Sequence, residues 1–94
     1  MTVVQGKVAT ASGGKYVRQL CKHWAHKLPV ELDGDSGTVT FPGAVVQMTG
    51  TGDAILLSIS GCEEGEVNGL KGVLARHLDR FAFREQPLTY EWAA

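Results

Sequence analysis

Residues 30–60 read VELDGDSGTVTFPGAVVQMTGTGDAILLSIS, and their period of two decides the fold. Val30 and Leu32 alternate with Glu31 and Asp33, Gly34-Asp35-Ser36-Gly37 turns the chain, and Val39 and Phe41 then alternate with Thr38 and Thr40. Pro42-Gly43 turns again into residues 44–49, whose inward set is Ala44, Val46 and Met48. Gly50-Thr51-Gly52-Asp53 turns into residues 54–60, with Ile55, Leu57 and Ile59 inward. Strands joined by turns this tight can only be antiparallel neighbours, so the stretch is a four-stranded meander.

A helix is expected on each side of it. From Tyr16 to Leu28, Tyr16, Val17, Leu20, Cys21, Trp24 and Leu28 fall within an arc of about 140° at helical spacing, with Arg18, Gln19, Lys22 and His26 opposite. The helix is expected to start near Lys15, capped by Ser12 or a following glycine, and to end at Leu28-Pro29, because the residue before proline is pushed out of the α region. On the other side, Val67, Leu70, Val73, Leu74, His77, Leu78 and Phe81 form a second apolar stripe. Ser60-Gly61-Cys62-Glu63 matches a capping box for its start, with Glu63, Glu64 and Glu66 at the positive end of the dipole. Residues 2–9 alternate as a first strand, and residues 88–92, after Gln86-Pro87, read as a short last strand able to pair at a sheet edge.

The expected order is β-α-β-β-β-β-α-β. Two amphipathic helices need a surface to bury their stripes, and a curved antiparallel sheet with one apolar face supplies it. The expectation is an α+β two-layer sandwich with both helices on one face, similar in order to the TATA-box-binding-protein-like or helix-grip arrangements. A ferredoxin-like variant is the alternative.

With 94 residues, 44 % of them hydrophobic, the chain is expected to be one domain that buries a core without a metal or disulfide. No apolar run of signal-peptide type follows Met1, and no uncharged apolar stretch reaches the roughly 20 residues of a membrane span. A soluble, cytoplasmic protein with Cys21 and Cys62 reduced is therefore expected. The net charge of −1 leaves no nucleic-acid footprint, and the open sheet face is neither basic nor aromatic. Charge is nevertheless uneven. Residues 1–30 carry Lys7, Lys15, Arg18, Lys22 and Lys27 without an acid, residues 31–66 are acidic, and the second helix brings Lys71, Arg76, Arg80 and Arg84.

Cys21-Lys22-His23-Trp24-Ala25-His26 looks like a string of metal ligands, yet Cys21 and His23 point about 160° apart on a helix and cannot share an ion. His23 and His26, three apart, can converge. His77 lies in the second apolar stripe, where an imidazole needs a partner for each nitrogen: a backbone carbonyl, a tyrosine or a threonine in a structural role. If the helices pack side by side, His23 and His77 face one crevice, the best metal or acid–base arrangement in the chain. Arg76, Arg80 and Arg84 follow at spacings of four, suited, together with Arg18 and Lys22, to an anion or an anionic metal chelate, or to pairing with Asp79, Glu85 and water. Gly13-Gly14-Lys15 lacks the spacing of a phosphate loop, no serine sits in a nucleophile elbow, and no carboxylate pair stands out. The residues point to binding rather than catalysis.

The segments QLCKHWAHK (residues 19–27) and RHLDRFAFRE (residues 76–85), with an acidic hairpin and Phe41-Pro42 between them, resemble the bacterial family of domain of unknown function 2218. That resemblance marks Leu20, Cys21, His23, Trp24, His26, His77, Arg80, Phe81, Phe83 and Arg84 without assigning them roles. The same domain is found joined to siderophore-interacting, flavin-dependent ferric reductases, so the resemblance implies an accessory module in bacterial iron or siderophore handling. A ferric chelate or such a reductase would be its partner, contacted through His23, His26, His77, Arg80 and Arg84. The flavin- and nicotinamide-binding parts have no counterpart in the sequence. A protein-interaction or homodimerisation module, using a sheet edge or the exposed sheet face and keeping its histidines structural, is the alternative.

Overall fold

The computed structural model describes residues 2–62, 64–81 and 90–92. Its elements are β1 (Thr2–Ala9), α1 (Gly13–Trp24), β2 (Val30–Asp33), β3 (Ser36–Phe41), β4 (Ala44–Gly50), β5 (Ala54–Cys62), α2 (Glu64–Phe81) and β6 (Tyr90–Trp92). They form an α+β fold in the order expected from the sequence. One antiparallel sheet runs β2-β3-β4-β5-β1-β6, so the first strand lies between the last two rather than beside its neighbour in sequence. The ferredoxin-like alternative has two strands between its helices and has no room for the four of the meander.

Register follows the alternation. Val30 pairs with Val39, Val39 with Val46, Val46 with Ile59 and Ile59 with Val4, a row across the sheet whose side chains all point to one face. Val39, Val46 and Ile59 are fully buried there, beneath Val17, Leu20, Cys21 and Trp24 of α1 and Val67, Leu74 and Leu78 of α2. Sheet and helices therefore enclose one core. Among the described residues, no helix is long and apolar enough to cross a membrane.

Two close approaches fix α1 over the sheet. Gly37 of β3 lies against the Cys21 sulfur, where a Cβ would collide with it, and Gly50 of β4 lies against the backbone of Gly13 and Gly14. Cys21 is a free thiol, and its burial pushes its pKa up.

The helix ends differ from the expectations. α1 starts at Gly13 and stops at Trp24, a turn short of Leu28, because the Lys27 and Leu28 amides both donate to the Trp24 carbonyl, at 2.9 and 2.8 Å. This shared acceptor tightens the chain ahead of Pro29. Ser12 is the N-cap by position, yet only its carbonyl takes part, accepting from the Tyr16 amide at 3.1 Å. The capping box is not used at Ser60: paired with Val3 on one side and Val45 on the other, Ser60 belongs to β5, and Glu63 lies outside the described residues. Residues 88–89 of the expected last strand also lie outside them.

Candidate functional site

The candidate site forms where the last turn of α1 meets the middle of α2. Trp24, 6 % exposed, closes α1 and is held by Phe41, whose ring stands edge-on with centroids 5.1 Å apart. The indole also meets the His77 ring, with centroids 5.1 Å apart and the planes tilted by 51°. His23, one residue before Trp24 and exposed, brings its ring to 5.4 Å from that of His77. The three rings form a wall at the join of the helices.

His77 is half-buried, and its Nδ1 lies 2.7 Å from the Val73 carbonyl. A carbonyl only accepts, so Nδ1–H donates and the neutral ring keeps a lone pair on Nε2. This backbone partner is the structural one anticipated for a histidine in the stripe. The same bond also fixes the tautomer that leaves Nε2 able to accept a proton or ligate a metal.

Arg76, His77 and Arg80 line a cavity of about 240 Å³ beside these rings. Both arginines are exposed, and the Arg76 guanidinium runs back over Gly72, 3.2 Å from where a Cβ would stand. The missing side chain at Gly72 gives it room. Asp79, on the other side of α2, accepts from the Tyr90 hydroxyl at 2.9 Å, and the Ala75 carbonyl accepts from it at 3.2 Å. These bonds tie β6 to α2 and direct Asp79 toward β6.

The structure thus brings together His23, His77, Arg76 and Arg80 of the residues singled out in the sequence, whereas Arg18 pairs with Asp35. His26 falls in the exposed turn at residues 25–27 and, among the described residues, makes no ring contact with the other two histidines. Arg84 lies outside the described residues. Among those described, no three His, Cys, Asp or Glu residues group as a metal site. The His23–His77 pair alone is short of the four ligands a structural zinc site takes. The sequence did not show that Trp24, part of the core, also packs against the His77 ring; its place beside His23 in sequence was the available signal.

The crevice can hold a group that is anionic, planar or both: guanidiniums offer paired N–H donors, and the rings offer faces and one lone pair. No curated protein matches the chain. A solved structure described as "NMR structure of PA4090 from Pseudomonas aeruginosa" is similar to it, at 31 % identity and a TM-score of 0.83, covering 99 % of this chain and 96 % of that one. The model of a bacterial family described as "Uncharacterized protein conserved in bacteria (DUF2218)" matches residues 5–93. By that match over nearly its whole length, the chain belongs to the DUF2218 family.

Proposed function

We propose that the protein is a cytosolic binding or accessory module in bacterial iron or siderophore handling, and that the α1–α2 crevice takes an anionic ferric chelate as cargo. The observation that supports this reading is the cavity of about 240 Å³ lined by Arg76, His77 and Arg80, with the His23 ring 5.4 Å from that of His77. Arginines four apart on a helix project on the same side and can share one polycarboxylate or hydroxamate ligand, which accepts from guanidinium N–H groups two at a time. A chelate brings most of the metal's ligands itself, so two imidazoles are sufficient where a bare ion would need more. His23 and His77 take positions that the chelator leaves open, and the exposure of the crevice lets a reductase reach the cargo. The family resemblance supports the iron chemistry, and the arginine-lined cavity supports its location.

Calorimetric titration with ferric citrate, and separately with iron-free citrate, tests this. Saturable binding of ferric citrate is expected, weakened about tenfold or more when Arg76→Ala and Arg80→Ala are combined, since a bond to a charged group contributes about 1.5–3 kcal/mol. Replacing His23 or His77 by alanine should weaken the ferric form and leave iron-free citrate unchanged. Equal affinity in wild type and the arginine variant, or no saturable binding of ferric citrate, ends the reading.

A further inference from the structure

The face of the sheet away from the helices has a charge pattern of its own. Register places Asp33, Ser36, Thr49, Leu56 and Lys7 in one row across β2, β3, β4, β5 and β1. The acid stands two strands to one side of β4 and the base two strands to the other. Among the described residues, neither Asp33 nor Lys7 forms an ion pair. On the same face Val3 is 57 % and Leu56 46 % exposed, with Val45 half-buried between β3 and β5. Two hollows, of about 410 and 250 Å³, adjoin at Gln5, Gly6 and Leu56.

We infer that this face is the interface of a two-fold homodimer whose axis runs along β4. A second copy turned about that axis places its Lys7 over Asp33 of the first and its Asp33 over Lys7. The pattern is therefore complementary to itself and gives two ion pairs across one interface. Val45 then meets its own counterpart at the axis. Glu91 of β6, beside Lys7 in register, lies one strand beyond the overlap. Two sheets stacked in this way pack with strands nearly aligned, and five strands of up to 9 residues at about 4.8 Å spacing overlap across the interface. The helix layer stays outermost in both copies, so dimerisation leaves the crevice open and is independent of what it binds.

The test is solution mass by light scattering on wild type, Lys7→Glu, Asp33→Lys and an equimolar mixture of the two variants. Wild type is expected at twice its 10.1 kDa chain mass. Each variant alone sets like charges together twice per interface and should weaken association about tenfold or more. The mixture restores both pairs and should return to the dimer mass, which a misfolded variant could not do. A wild type that stays monomeric at high concentration, a dimer indifferent to both charge reversals, or a mixture that fails to re-form it overturns the inference.

Discussion

Tyr90 shows how one hydroxyl can join two elements. Its O–H donates toward Asp79 and the Ala75 carbonyl, and burial first, then the bond to Asp79 and its charge, push its pKa well above the ordinary 10.0. The fold thus favours the neutral phenol. The stability this contributes is complete below the unfolded value of 10.0 and is lost as pH rises past it. Tyr90→Phe should be less stable than wild type by about 1 kcal/mol at neutral pH. In urea unfolding, that gap should shrink between about pH 9 and about pH 11 as the unfolded tyrosine ionises; a gap that stays constant would show that the bond to Asp79 is not what the phenylalanine removes. His77 was less legible than its neighbours for a related reason. The apolar stripe placed it against the core, but only the folded helix shows that its Nδ1 is occupied by Val73 four residues back.

At the scale of elements, the crossing of α1 over β4 depends on the absence of side chains. A Cβ on Gly50 would meet backbone atoms of Gly13 and Gly14, whereas one on Gly52, two residues along, would meet nothing within 4 Å. Gly50→Ala is expected to lower the stability by about 1–3 kcal/mol, because backbone cannot move aside as a flexible side chain can. Gly52→Ala should change it little, and chemical denaturation of the two variants side by side checks both. Asp35, from the turn between β2 and β3, adds a carboxylate over Gly14 and pairs with Arg18 of the same helix. It supplies the negative charge that the first turn of α1 lacks. The strands of the meander were legible because alternation and glycine turns are local signals. The ends of the helices were not: Ser60 carries a cap signature, but Val3 and Val45, remote in sequence, hold it in a strand. The termination of α1 at Trp24 likewise depends on a carbonyl shared by two amides, which no spacing of side chains announces.

For the molecule as a whole, sheet order matters more than element order. The sequence implied a two-layer sandwich, since two apolar stripes and a meander with one apolar face have few ways to cover one another. The turns gave the order β2-β3-β4-β5 of the meander, but the place of β1 could not be read from alternation. β1 turned out to join the last two strands, paired with β5 along its full length and with β6 at Gly6, Lys7 and Val8. Gly6 is there because the Trp92 ring lies where its side chain would be. Removing residues 1–9 should therefore do more than trim an end: β5 loses its outer partner, β6 its only described one, and Val8 leaves the core. The expected result is loss of a cooperative thermal transition by circular dichroism, where a merely peripheral strand would leave a lowered but sharp one. The same placement bears on biosynthesis. Of the strands in this sheet β1 is synthesised first, yet Ala9 is paired with Ala54, Thr2 with Cys62 and Gly6 with Trp92. With synthesis at about 5–20 residues per second, the nascent strand waits seconds for the first of these partners and several seconds more for Trp92. Through that interval its amides and carbonyls are open to chaperones and to neighbouring nascent chains, so the sheet cannot close until Trp92 has been made.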